Sequence, residues 1–226
     1  MGCKPVTLPA PGRARAPLDP ARERRLAYAA LGDSNTAGHD ERLVGLRWAD
    51  LVAAAFARAG FAVTYRNLAE FGLKSHEVAE RQPDQAIAMG SDIVSVVCGI
   101  NDVLMPAAPD IDAYARAFDS ICTRLRAALD DVVLVTATVP DLSRHIGYGP
   151  RATARVSREL RRLNDATRSL AAEHDALLAD LAAREDLSTR DSYAADGYHA
   201  SALGHRRMAL EFAGALAASV AGGLRL

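Results

Sequence analysis

The residues best suited to chemistry lie in four short stretches. "GDSNT" places Ser34 directly after an apolar run, in a glycine-flanked turn. "NLAEFGLKS" carries Gly72 after a second apolar run, and "GIND" carries Asn101 after a third. "DGYHAS" sets Asp196 three residues before His199. Each stretch alone has a plain structural reading. Ser34 would cap a helix, Gly72 would make a turn, and Asn101 would close an Asx turn. The chemical readings differ. A serine hydroxyl is a poor nucleophile until a neighbouring base takes its proton. A carboxylate on the same local turn as an imidazole can hold Nδ1–H and leave Nε2 free as that base. A glycine N–H admits close approach of a ligand, and an asparagine amide can donate to a ligand oxygen.

These four stretches need elements that bring them together. Five short runs read as buried strands: residues 26–31, 61–69, 92–99, 132–139 and 176–181. Their continuous apolar character, rather than alternation, indicates parallel strands covered on both faces. Between them run helical stripes. From Ile111, apolar residues recur at Tyr114, Ala115, Phe118, Ile121, Cys122, Leu125 and Leu129. Trp48, Leu51, Val52, Ala55 and Phe56 form a second face, closed by Gly60. Residues 151–173 and about 201–220 complete the set, the last with Leu203, Met208, Phe212, Leu216 and Val220 inward. Strand–helix alternation of this kind implies a layered α/β sandwich with right-handed crossovers. Three of the four stretches follow successive strands, so a parallel sheet carries them to one edge. Residues 103–110 and 140–150 are too long or polar for simple turns and would border a ligand crevice there.

Composition sets the frame. A chain of 226 residues with half its residues apolar and a net charge of −1 reads as one ordinary globular domain. That balance gives no electrostatic reason to expect nucleic acid or an anionic membrane as partner. The arginines of 151–173 face acidic neighbours such as Glu159 and Asp165 with no interleaved aromatics, which describes a solvated helix face. Cys3, Cys98 and Cys122 show no paired spacing, so no disulfide framework or zinc site is expected, and reduced, cytoplasmic surroundings fit. Residues 1–25 are rich in Pro and Arg, lack the apolar stretch of a signal peptide and read as a flexible arm before a single domain at 26–226. The C-terminal apolar stretch contains Glu211 and is too short to span a bilayer.

In order along the chain, "GDSNT", "NLAEFG", "GIND" and "DGYH" resemble the first, second, third and fifth blocks of the SGNH subgroup of GDSL-type esterases and lipases. The resemblance covers about residues 26–220. It implies a flavodoxin-like three-layer α/β/α sandwich with a five-stranded parallel sheet. It also implies Ser34 as nucleophile, His199 as general base and then acid, and Asp196 as its orienting partner. The implied oxyanion hole comprises the Ser34 and Gly72 backbone N–H groups and the Asn101 side-chain amide. Asn35 replaces the usual Leu after the nucleophile, and Ala200 the Pro often found after the histidine. Asp33 reads as a turn-stabilising carboxylate and His205 as structural, while His39, His76, His145 and His174 have no partner identifiable from sequence.

The expected activity is hydrolysis of a small-molecule carboxylic ester, thioester or acetylated sugar, with no cofactor. Acyl transfer to another acceptor uses the same chemistry until the second half-reaction and stays open. A metal-dependent phosphoesterase using Asp33, Asn101, Asp102, Asp196 and His199 has oxygen-rich donors in its favour. It lacks a His-x-His cluster and leaves Ser34 unexplained. A noncatalytic binding protein on a degenerate hydrolase fold leaves the whole Ser, Gly, Asn and His set unexplained. There is no GxSxG around Ser34 and no phosphate-binding glycine motif after the first strand.

Overall fold

A computed structural model describes residues 24–217. Five parallel strands, β1 (Arg25–Gly32), β2 (Ala62–Asn67), β3 (Ile93–Val97), β4 (Val133–Ala137) and β5 (Leu177–Ala179), form one sheet in the order β2-β1-β3-β4-β5. All five apolar runs named from sequence became strands, within a few residues of their expected ends. The helices are α1 (Ser34–Ala37), α2 (Trp48–Arg58), α3 (Ser75–Arg81), α4 (Pro83–Ala88), α5 (Ile100–Leu104), α6 (Ile111–Ala128), α7 (Pro150–Glu173) and α8 (Ala202–Ala217).

The central strands are buried on both faces, as their unbroken apolar character requires. Along β1 the side chains alternate between two cores. Leu26, Tyr28 and Ala30 join Trp48, Phe56 and Phe212 beneath α2 and α8. Ala29 and Leu31 face the opposite way, toward Val78, Phe118, Ile121 and Leu160 beneath α3, α6 and α7. The result is the three-layer α/β/α sandwich expected, with the flavodoxin-like strand order. Trp48 and Phe212 stack with ring centroids 3.9 Å apart and tie α2 to α8.

Strand order decides where ligands go. The chain leaves β1 for β2 on one side, then returns to β3, β4 and β5 on the other, so the crossovers diverge between β1 and β3. A crevice opens at that point beyond the carboxyl ends of the strands. The arginines of α7 behave as read: Arg158 and Arg162 both pair with Glu159, and Arg168 with Asp165 and Asp180. Cys98 and Cys122 are buried free thiols. Cys3, Val220 and nearly all of the 1–25 arm lie outside the described residues. Among the described residues, no helix is long and apolar enough to cross a membrane.

Candidate active site

Three of the expected site residues stand at neighbouring strand ends. Ser34 follows β1, Gly72 follows β2 and Asn101 lies in α5 just after β3. Because β1 lies between β2 and β3, Ser34 is central and the other two flank it. The cap of α1 is Asp33, whose carboxylate accepts from the Asn35 N–H at 2.9 Å. The cap role considered for Ser34 is therefore filled by its neighbour, and the serine hydroxyl is left free to turn toward His199.

The strand end itself is pinned. The fully buried Gln82 amide donates to Gly32 O at 2.9 Å and accepts from Gly32 N at 2.7 Å. Gly72 adopts φ +73, a left-handed conformation that costs a residue with a Cβ about 1 kcal/mol or more. Its segment is clamped to α5 twice. Asn101 Nδ2 donates to Leu73 O at 2.9 Å, and the Asp102 carboxylate accepts from Ser75 N and Ser75 Oγ at 2.9 and 2.7 Å. Asn101 thus reaches a carbonyl far away in sequence rather than closing a local Asx turn.

His199 and Asp196 arrive from the far edge of the sheet, on the segment between β5 and α8. His199 Nδ1 lies 2.7 Å from Asp196 Oδ2, and His199 Nε2 lies 3.1 Å from Ser34 Oγ. With Nδ1–H given to the carboxylate, Nε2 is the acceptor and the serine hydroxyl donates to it. Asp196 Oδ1 also accepts from the backbone N–H groups of Tyr198 and His199 at 2.9 and 3.0 Å. Partial burial alone would raise the Asp196 pKa, but these bonds outweigh it and hold the carboxyl below the usual carboxylate range. Gly197 sits in the same turn at φ +70, and a Cβ there would meet His145 O at 1.9 Å. Residues 140–150 therefore press on the turn that carries the imidazole.

The His199 ring is held by aromatic neighbours. His39 stacks on it at 5.1 Å and 13°, Tyr198 meets it edge-on at 4.5 Å, and Phe71 lies 6.5 Å away. Burial and the neighbouring His199 lower the His39 pKa, against the pull of Asp196 and Asp40. His205 proves structural: its Nδ1 accepts from Trp48 N at 3.3 Å, and burial lowers its pKa to about 4. His145 contacts Ser188 O and His174 contacts Asp119, both outside the cluster. Around the mouth, Phe71, Met105 and Tyr148 are exposed. Met105 Cε lies 4.0 Å from the Cβ position of Gly72, so residues 103–110 border the crevice.

Among the contacts missed from sequence, one touches Asn101 directly. Tyr198 donates its phenol hydroxyl to Asn101 Oδ1 at 2.7 Å. The signal available was its place in "DGYH", between the acid and the imidazole, but a tyrosine there reads equally as a turn residue.

The carboxylates considered as metal ligands have other partners: Asp102 bonds Ser75, Asp33 bonds Asn35 and Asp196 bonds His199. Among the described residues, no group of three or more His, Cys, Asp or Glu side chains is arranged to hold a metal ion.

The fold recurs in known structures. TesA superposes with a TM-score of 0.65 at 21% identity, over 84% of this chain and 97% of that one. A putative GDSL-like lipase from Parabacteroides merdae superposes with a TM-score of 0.71 at 16% identity, over 84% and 94%. The acetyl xylan esterase AlAXEase gives 0.67 at 18% identity, over 84% and 100%. No curated protein matches the sequence. A family model does, from residue 30 to residue 207, a span that takes in every residue of the site just described. The chain belongs to the GDSL-like lipase/acylhydrolase family and is a hydrolase.

Proposed function

We propose that this hydrolase cleaves carboxylic esters, the class extending to thioesters and acetylated sugars, through an acyl-enzyme on Ser34. The observation that carries the reading is the continuous chain from Ser34 Oγ to His199 Nε2 at 3.1 Å and from His199 Nδ1 to Asp196 Oδ2 at 2.7 Å. His199 takes the hydroxyl proton as Ser34 Oγ attacks the ester carbonyl, and Asp196 stabilises the imidazolium that forms. Negative charge gathers on the former carbonyl oxygen. The Ser34 and Gly72 N–H groups and the second Nδ2 hydrogen of Asn101 are the donors assigned to it. Collapse returns the proton from His199 to the leaving alkoxide and leaves the acyl group on Ser34. Water, deprotonated by the same imidazole, then releases the acid and restores the serine.

Ser34→Ala tests this reading. The variant should fold with wild-type melting temperature, lose turnover of p-nitrophenyl acetate by about 10⁴-fold or more, and lose labelling by a fluorophosphonate. Near-normal turnover in that variant overturns the proposal. Acetate esters of sugars and longer acyl esters, compared by kcat/KM, then define the substrate within the class.

A further inference from the structure

We infer that Tyr198 is a positioning residue: it fixes the Asn101 amide so that one Nδ2–H points at the oxyanion. The inference rests on the role proposed for Asn101 and goes beyond it. An asparagine side chain can be turned over at little intrinsic cost, and only one orientation offers N–H groups where a developing oxyanion needs them. Leu73 O is an acceptor only, so the Asn101 atom 2.9 Å from it must be Nδ2. Oδ1 then faces Tyr198, and the phenol 2.7 Å away must be the donor. Turned over, the amide would set two oxygens against each other at Leu73 and leave a side chain that is only 3% exposed without its bonds. With both ends held, one Nδ2 hydrogen goes to Leu73 O and the other remains for substrate.

The phenol also acts on the amide electronically. A hydrogen bond to Oδ1 draws electron density toward that oxygen and strengthens Nδ2–H as a donor. Its position in the chain adds a consequence. Tyr198 lies between Asp196 and His199, so the turn that delivers acid and base also closes the oxyanion site. Withdrawal of that turn would disable both at once.

A double-mutant cycle between Tyr198→Phe and Asn101→Ala is the test, with kcat normalised to the fraction of enzyme labelled by a fluorophosphonate. Phenylalanine keeps the ring against His199 and the backbone N–H to Asp196, and removes only the hydroxyl. Tyr198→Phe should lower kcat about three- to tenfold, the effect of one neutral hydrogen bond acting at second hand, with KM and the acid limb of the pH profile unchanged. In the Asn101→Ala background the same change should have no effect. An equal loss in both backgrounds, or a moved acid limb, overturns the inference while leaving Asn101 in its role, because Tyr198 would then act through His199 or through the Ser34 hydroxyl, which its phenol also reaches. An Asn101→Ala variant with wild-type kcat overturns both this inference and the oxyanion assignment beneath it.

Discussion

Ser34 and His199 meet within hydrogen-bond reach, yet the two sides of the site are built by different means. On the Ser34 side the positions are set by the sheet. Ser34, Gly72 and Asn101 hang from the ends of three adjacent strands, and Gln82, Leu73, Ser75 and Asp102 cross-link those ends with buried hydrogen bonds. On the His199 side there is no strand to hang from. Between β5 and α8 the chain makes three short 3₁₀ turns, over Leu181–Ala183, Glu185–Ser188 and Arg190–Ser192. Arginine forks hold it. Arg190 donates to the carbonyls of Tyr193, Ala194 and Ala195 at 2.7–3.1 Å, immediately before Asp196. Arg207 of α8 reaches Asp186 O, Ser192 Oγ and Asp191 Oδ1. What resembles sheet pairing here is the Tyr193–Ala200 bridge, flanked by the bonds from Ala194 N to His199 O and from Ser201 N to Ser192 O. One side is positioned by packing and backbone ladders, the other by planar cations satisfying loop carbonyls.

The largest expected effect joins the two sides. Ser34→Ala and His199→Ala should each lower kcat by about 10⁴-fold or more, and the double variant should be no worse than either. Groups that act as one unit show such non-additivity. Two independent losses that multiply would mean that the sheet side and the turn side contribute separately, which breaks the reading of a single proton path between them.

The second expectation separates the sides by what their clamps protect. Arg190→Ala frees three carbonyls ahead of Asp196, so the imidazole should drift while the sheet stays intact. A misplacement of about 1 Å is enough to lower kcat roughly 10–100-fold, with little change in melting temperature. Arg190→Lys should recover only part of that loss, since an ammonium cannot bridge three carbonyls as a guanidinium does. Gln82→Ala is the counterpart on the other side. It strands the buried N–H and C=O of Gly32 and should cost about 1–3 kcal/mol of stability, read by denaturant melts. If Arg190→Ala unfolds the protein as readily as Gln82→Ala while the folded fraction keeps its kcat, the contrast between the two sides fails.

This contrast also explains what the sequence made legible. The core strands announced themselves because burial on both faces leaves few polar residues in them: "DIVSVVCG" became β3 within one residue at its start, with Ser95 as its one polar side chain. Long helices did so through their stripes, and residues 111–129 became α6 at Ile111–Ala128. The short helices α3, α4 and α5 were not anticipated. Five to seven residues give too little periodicity to read, and these helices owe their places to contacts such as Asp102 with Ser75. The four site stretches were visible as residue types, three of them at strand ends and the fourth ahead of the last helix. Gln82, Arg190 and Tyr198 were not, because each acts on a partner distant in sequence or through backbone carbonyls that every residue carries. His39 stacking on His199 was invisible for the same reason.

The smallest expected effect concerns Asp33, where the sheet side holds a titratable group next to Ser34. Its side chain is only 1% exposed and lines a cavity of about 40 Å³ with Val97, Cys98, Ile100 and Leu142. One carboxyl oxygen, Oδ2, has no hydrogen-bond partner. Burial drives the pKa up to about 7, against the opposing pull of the Asn35 N–H. In the unfolded chain the same group ionises near its ordinary value of 3.8, so between these two values the folded protein binds the extra proton. Stability must then fall as pH rises, because the proton favouring the folded state is lost as pH passes the folded pKa. From about pH 6 to about pH 8 the loss from this group should be about 1 kcal/mol. His205 has the opposite sign: its pKa is lowered to about 4, so its contribution is lost on acidification below about 6.5 and offsets part of the Asp33 loss at the acid end of this window. Asp33→Asn keeps an oxygen for the Asn35 N–H and removes the titration. Because both proteins share the His205 contribution, the variant should gain about 1 kcal/mol on the wild type from about pH 6 to about pH 8, and urea melts of both proteins at the two pH values measure the difference. A parallel change in the two proteins would place the pH dependence elsewhere and overturn the notion that the sheet side, unlike the turn side, stores an uncharged acid beside Ser34.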